Sequence, residues 1–86
     1  MKYKVGSFLY SKTNTLMCDI DSVWHNIQQY DKWKIKKLFK IRYADKVEIL
    51  NIKNNYIIIT ALTYVSDNFY TEKEMRKVKL KEINDV

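Results

Sequence analysis

The residues with the clearest chemical potential form a basic run in the middle of the chain. Six positive charges stand there without an acidic residue among them: Lys32, Lys34, Lys36, Lys37, Lys40 and Arg42. Their sum equals the formal net charge of the whole chain, +6, so the remaining charges cancel. Because several cations along one face release the counterions condensed on a phosphate backbone, the run predicts binding to nucleic acid or to a nucleoprotein complex.

Aromatic side chains are interleaved with these cations, namely Trp33, Phe39 and Tyr43. An exposed aromatic ring can stack on an unpaired base, so Trp33 and Tyr43 join the predicted binding site. The plainer interpretation is that the lysines keep one face in water while the aromatic rings fill the core. A second basic group would extend the surface if it lay beside the first: Arg76, Lys77, Lys79 and Lys81.

Other site chemistries find little support in the residue types. The chain has one glycine, which excludes glycine-rich phosphate loops, and one cysteine, Cys18, which excludes an internal disulfide and a paired-cysteine zinc site. Asp19, Asp21 and His25 are close in sequence, but a third firm metal ligand is missing. We therefore predict no catalytic residue, no metal and no other cofactor, and hence a non-enzymatic binding protein.

The length and composition predict a single small globular domain over residues 1–86, of which 47% are hydrophobic. The longest apolar stretch, Tyr56–Val65, is about half of the ~20 residues that a membrane-spanning helix needs. We therefore expect a cytoplasmic, intracellular protein without stable membrane insertion. Lysine, isoleucine, asparagine and tyrosine are abundant, and their AT-rich codons suit a phage, virus or mobile element acting in a host cell.

One amphipathic helix is predicted over about residues 21–31. Side-chain oxygens of Asp19, Asp21 and Ser22 could cap its first turn. Apolar residues follow at helical spacing: Ile20, Val23, Trp24, Ile27 and Tyr30. Before this helix, strands are predicted over residues 2–10 and 15–18, with a polar turn between them.

The segment after the predicted helix is ambiguous. As a strand, ten of the twelve positions 32–43 alternate between basic and apolar residues, and the alternation breaks at Lys37 and Leu38. No turn residue separates this segment from the predicted helix, so the helix could run on to about residue 38. In either case we expect a strand to have begun by Lys40.

The second half is predicted to be strands. Two β-branched runs, Val47–Lys53 and Tyr56–Val65, are joined by Asn54 and Asn55, which tolerate the left-handed backbone of a tight hairpin turn. The second run is apolar on both faces, which is typical of a central strand. A turn is expected at residues 66–68.

The C-terminal segment has two interpretations. Val78 and Leu80 alternate with lysines and predict a last strand, whereas Thr71 and Glu74 could form the capping box of a C-terminal helix. We favour the strand. The predicted fold class is then α+β, with one helix in the N-terminal half packed on an antiparallel sheet of four or five strands.

Two short resemblances accompany this interpretation. Lys32–Ile41, KWKIKKLFKI, resembles the cationic N-terminal helix of cecropin-type membrane-active peptides, which implies a helix lying in a membrane interface. Leu38–Tyr70 resembles the C-terminal hairpins of RelE/ParE-type toxins, which implies a small ribonuclease that uses basic residues and a tyrosine on its sheet to cleave ribosome-bound mRNA. The arginine usual in the middle strand of that family is replaced here by Val47-Glu48-Ile49.

Three hypotheses of function follow. The first is an inhibitor or accessory factor that engages nucleic acid or a nucleoprotein complex through the basic run. The alternative is a protein–protein interaction module, in which an edge strand pairs with a host protein or with a second copy to give a homodimer. The third is the RelE/ParE-like small ribonuclease.

Overall fold

Sheet makes up most of the described chain. The computed structural model describes residues 2–84, with the side chains of residues 2–81. Within these residues the elements are, in chain order, β1 (Phe8–Ser11), β2 (Thr15–Cys18), β3 (Trp24–Ile27), β4 (Lys32–Ile41), β5 (Ala44–Asn51), β6 (Ile57–Ala61), α1 (Leu62–Asn68), β7 (Phe69–Thr71) and α2 (Glu72–Asn84).

Five strands form an antiparallel sheet in the order β6-β5-β4-β1-β7, and β2 and β3 form a separate two-stranded sheet. The longest strand, β4, lies at the centre and pairs with β1 and β5. Its hairpin with β5 closes through Arg42 and Tyr43, and Arg42 takes the left-handed φ of 56° that such tight turns require. The Asn54-Asn55 hairpin prediction is confirmed between β5 and β6, with Asn55 at φ 57°.

One face of the five-stranded sheet carries the hydrophobic core. Trp33 of β4 is fully buried there, with edge-on ring contacts to Tyr56 and Phe69, and its Nε1–H donates to the Ser11 hydroxyl at 2.9 Å. The two-stranded sheet, the N-terminal segment and α1 contribute the residues that complete this core: Tyr3, Met17, Ile27 and Val65. Among the described residues, no helix or strand packs on the opposite face of β4, β5 and β6.

The predicted helix over residues 21–31 is wrong, and with it the predicted fold class. The segment is a tight turn followed by β3, and the two helices lie in the C-terminal part of the described chain. The Asp19 carboxylate accepts hydrogen bonds from the N–H groups of Asp21 at 2.8 Å and Val23 at 3.0 Å, which close a turn instead of capping a helix. Ser22 has a left-handed φ of 64°. Aspartate, serine, asparagine, β-branched and aromatic residues are weak helix formers, so apolar spacing alone was insufficient.

The suggestion that the helix might run on to residue 38 is also wrong, because β4 is a strand from Lys32 to Ile41. The cecropin-like helix implied by the resemblance is therefore absent from this segment. A β-bulge lies between Ile35 and Lys37, where the pairing moves from Ile49 to Glu48. The bulge explains why the alternation breaks near Lys37, since one extra residue shifts the period by one position.

The C-terminal segment is helical, so the predicted last strand around Val78 and Leu80 is wrong. The alternative, the capping box, is confirmed: the Glu74 N–H donates to Thr71 Oγ1 at 3.2 Å, and the Thr71 N–H donates to Glu74 Oε1 at 3.1 Å. Lysine and glutamate are good helix formers, and the cap satisfies the first free N–H groups, so local chemistry outweighs the short alternation.

The prediction of a central strand over Tyr56–Val65 is wrong as well. β6 ends at Ala61 and lies at the edge of the sheet, and α1 begins at Leu62. The turn predicted at residues 66–68 is part of α1. β6 is apolar on both faces because Ile58 packs into the core while Ile57 and Ile59 stand on the uncovered face.

Candidate nucleic-acid interface

The uncovered face of the sheet brings basic and aromatic side chains together. The strand registers assign to it a set of residues that we call the open face: Phe8, Tyr10, Lys32, Lys34, Lys37, Phe39, Ile41, Lys46, Glu48, Leu50, Ile57, Ile59 and Tyr70. Each of these side chains is exposed or half-buried. A face with this composition is accessible to a ligand along the whole of β4.

The six cations of the basic run do not share one face. Lys32, Lys34 and Lys37 project from the open face, because they pair with residues on that side of β1 and β5. Lys36 is the extra residue of the bulge and is exposed beside Lys37. Lys40 projects from the opposite face, and Arg42 is exposed in the hairpin turn. The bulge therefore divides the basic run between the two faces of β4, since it inverts the alternation after Lys36.

The lysines on and beside the open face are free to meet an anion. Among the described residues, no carboxylate oxygen lies within 4.0 Å of the ammonium groups of Lys32, Lys34, Lys36 or Lys37, whereas Lys40 Nζ lies 3.6 Å from Asp45 Oδ1. In the strands as described, the one acidic residue of the open face is Glu48, which stands opposite Lys37. The lysines therefore outnumber the acid on this face.

Of the aromatic residues of the basic run, Phe39 stands on the open face, and Trp33 and Tyr43 do not. Trp33 is 0% exposed and belongs to the core, so its assignment to the binding site is corrected. Tyr43 is 99% exposed, but it stands at the tip of the β4–β5 turn, beyond the paired strands. The plainer interpretation, with lysines in water and aromatic rings inside, holds for Trp33.

Aromatic rings reach the open face from β1 and β7 instead. Phe8 pairs with Lys34, and Tyr10 pairs with Lys32 on one side and with Tyr70 on the other. The Lys32 ammonium lies 4.2 Å from the centre of the Phe8 ring, and the Lys12 ammonium lies 5.2 Å from that of Tyr70. These cation–π contacts put positive charge directly over the aromatic rings.

The basic residues of α2 lie near the aromatic residues of β1. Arg76 and Lys79 line a small cavity of about 200 Å³ together with Tyr10, Glu72 and the buried Met75, and Arg76 Nη2 lies 3.9 Å from Glu72 Oε2. Lys77 lines a groove of about 550 Å³ that also includes Phe8. Arg76, Lys77 and Lys79 therefore lie near the β1 end of the open face, carried there by a helix and not by the predicted strand. Lys81 is exposed further along α2.

Phe8 and Tyr10 were not predicted for the site because they lie more than twenty positions from the lysines that they pair with. A usable signal was present: positions 8 and 10 are aromatic while 9 and 11 face the core, so β1 carries apolar residues on both faces. A strand of this kind either lies between two layers or exposes one apolar face. Which of the two applies depends on the other elements.

A second polar cluster joins the two sheets. His25 stacks on Tyr56, with ring centres 3.6 Å apart and planes 5° from parallel, and its Nε2 lies 2.6 Å from Asp19 Oδ2. The His25 hydrogen bond and then the Val23 N–H lower the pKa of Asp19 from its ordinary 3.8, against the opposing effect of burial. Burial, with Asp31 and Asp19 nearby, raises the pKa of Tyr56 to about 12. No group of three or more potential metal ligands is present within the described residues.

The outer side of the two-stranded sheet is apolar. Leu16 and Trp24 stand on that side, opposite the core residues Met17 and Ile27, and Trp24 is 68% exposed. The connecting turn adds two further exposed apolar residues. We call the four residues the hairpin patch: Leu16, Ile20, Val23 and Trp24.

Comparison with known proteins gives no relative for this chain. No family model, no curated protein and no solved structure matches it. Neither α1 nor α2, as far as the chain is described, is long and apolar enough to cross a membrane.

Proposed function

We propose that the protein binds nucleic acid, free or within a nucleoprotein complex, through the lysines of the open face, without catalysing a reaction. The observation that carries this proposal is the set of ammonium groups of Lys32, Lys34, Lys36 and Lys37 along one strand, which have no carboxylate within 4.0 Å among the described residues, whereas Lys40 on the other face is ion-paired. Cations aligned on one surface displace counterions from a phosphate backbone, and this is the main source of sequence-independent affinity.

The proposal predicts that two lysines of the same strand contribute differently to nucleic-acid binding. Lys37→Gln and Lys40→Gln each remove one charge from an exposed position of β4, on opposite faces. A labelled 20-nucleotide single strand and its 20-base-pair duplex serve as probes, titrated by fluorescence anisotropy between about 50 and 200 mM salt. Lys37→Gln should weaken binding and reduce the slope of log affinity against log salt by ~0.7 for the single strand or ~0.9 for the duplex, while Lys40→Gln leaves both unchanged.

Two outcomes would contradict the proposal. One is that wild type binds neither probe at the lowest salt concentration. The other is that the double variant Lys34→Gln/Lys37→Gln binds both probes as wild type does. Circular dichroism of each variant checks that a loss of binding is not a loss of fold.

A second candidate function is self-association through the hairpin patch. Tryptophan is enriched at binding hot spots, and Trp24 is the largest exposed side chain of this patch. A second copy is the partner we assign, because residues 13–31 contain three aspartates and no lysine or arginine, opposite in charge to the open face of another copy. Pairing through the β6 edge is disfavoured, since the Ile20 N–H already donates to the Ile57 carbonyl at 3.0 Å and α1 follows directly at Leu62.

Light scattering after size exclusion tests this second candidate. A mass above that of the monomer at low salt, which reverts to monomer with Trp24→Ser and at ~1 M salt where the screening length is about 3 Å, supports it. A monomer at all concentrations and salts rejects it.

A further inference from the structure

We propose that the open face takes nucleic acid as a single strand, with successive bases stacked on Phe8 and Tyr10; this inference rests on the proposed function. The two rings lie two residues apart on β1, and both project from the same face, as their pairing with Lys34 and Lys32 shows. Both residues are half-buried, Phe8 next to the Lys32 ammonium and Tyr10 next to Met75 of α2, so part of each residue stays accessible.

The spacing of the rings favours an unstacked strand. Two residues along a β-strand span about 6.6 Å, whereas successive bases of a duplex are about 3.4 Å apart along the axis. Consecutive bases can therefore reach both rings only if they separate from each other. A single strand can do this at little cost, whereas a duplex would have to break base pairs as well.

The neighbouring strand supplies one cation for each ring. Lys34 stands opposite Phe8, and Lys32 stands opposite Tyr10, so the lysines of β4 repeat with the same period as the rings. A nucleic-acid backbone that follows β4 would meet one ammonium group per nucleotide. The Lys32 ammonium now lies 4.2 Å from the centre of the Phe8 ring, and a base stacked there would displace it towards the adjoining phosphate.

The side chains of this face predict binding that does not depend on the base sequence of the nucleic acid. The polar side chains of its described residues are lysine ammonium groups, the tyrosine hydroxyls and Glu48, all of them at least partly in water. Stacking accepts any base, because every base has a π-face, and lysines contact phosphates without regard to sequence. The ligand class is therefore single-stranded DNA or RNA of mixed sequence.

The test compares three probes of equal length with wild-type protein: a 15-nucleotide oligothymidylate, the same strand with abasic sites throughout, and a 15-base-pair duplex. Oligothymidylate should bind about tenfold or more tightly than the abasic strand, since each stacked base contributes at least about fivefold. It should also bind more tightly than the duplex. Because these comparisons use wild type, they do not depend on the folding of a variant.

Variants then locate the stacking. Phe8→Leu keeps an apolar side chain and should weaken oligothymidylate binding about fivefold or more while leaving the abasic strand unchanged. Tyr43→Leu, at the exposed turn away from the rings, is the matched control and should change neither. Equal affinity for oligothymidylate and the abasic strand, or tighter duplex binding, overturns the inference. If Lys37→Gln still weakens the binding of the oligothymidylate and of the abasic strand in that case, the proposed function stands without the stacking inference. If wild type binds none of the probes, the proposed function and the stacking inference are both wrong.

Discussion

Lys34 and Lys37 project from the same face of the central strand although they are three positions apart. In a regular strand an odd separation places two side chains on opposite faces. Here Lys36 is an extra residue, so Lys34 pairs with Leu50 and Lys37 pairs with Glu48, which are two positions apart on β5. The bulge therefore keeps basic residues on the open face and returns Leu38 to the side of the core residue Val47.

Deleting Lys36 should be tolerated for this reason. The deletion removes the bulge but preserves every pairing of β4 with β5, so we expect a free energy of unfolding within about 1 kcal/mol of wild type in urea titrations. Deleting Lys34 is the control, because it would place Lys36 at the buried position of Ile35 and cost at least about 2 kcal/mol. Equal destabilisation by the two deletions would contradict this account of the bulge.

Ser11→Ala should destabilise the core through Trp33. The substitution leaves the indole N–H buried without its acceptor, which costs about 1–3 kcal/mol. Ser7→Ala removes an exposed hydrogen bond, from the Ser7 hydroxyl to the Lys4 carbonyl, and should cost less. Urea unfolding compares the two variants, and the idea fails if Ser7→Ala is the more costly. Ser11→Ala should cost less in a Trp33→Phe background than in wild type, because the orphaned donor is then absent.

Asp19→Asn should lower the free energy of unfolding by an amount that depends on pH. The native state favours the charged carboxylate, so the pKa of Asp19 lies below its ordinary 3.8. Its contribution to the free energy of unfolding is therefore present above about pH 4 and is lost as the pH falls through the lower native pKa. Unfolding free energies of wild type and Asp19→Asn should differ at pH 7 and converge as the pH falls through the lowered native pKa of Asp19. Asp67→Asn, at an exposed position of α1, is the control. A difference that does not change with pH would show that the charge of the Asp19 carboxylate is not its source.

Thr71→Ala should destabilise the N-terminal turn of α2. It removes the side-chain half of the capping box, at a cost of about 1 kcal/mol. Partial burial favours the neutral form of Glu74, but the Thr71 hydrogen bonds and Lys2 outweigh it and lower its pKa from 4.5, so the pKa should rise in the variant. Far-UV circular dichroism during urea unfolding and a carboxyl NMR titration measure the two effects. Thr63→Ala in α1 is the control, and an equal loss in both variants would contradict a capping role.

The helices and strands that local chemistry could predict are those with strong turn or cap signals. Asn54 and Asn55 sit at a hairpin because asparagine tolerates left-handed backbone, and Thr71 with Glu74 begins a helix because their side chains satisfy its first N–H groups. The segment around Trp24 was predicted wrongly because its apolar residues fit helical spacing. Asp19, however, closes a turn there, and Met17 and Ile27 pack on the larger sheet. Packing of this kind comes from distant residues and leaves no local pattern.

The sequence by itself determined that the chain carries a dense run of cations with aromatics close by, and that charge pattern is independent of folding. Tertiary structure alone decided which of those residues act together. The bulge moves Lys40 to the face opposite Lys37, the core takes Trp33, and strand pairing brings Phe8 and Tyr10 beside Lys34 and Lys32 from more than twenty positions away. The physical reason is that side-chain direction in a sheet depends on register, which is set by pairing between distant segments.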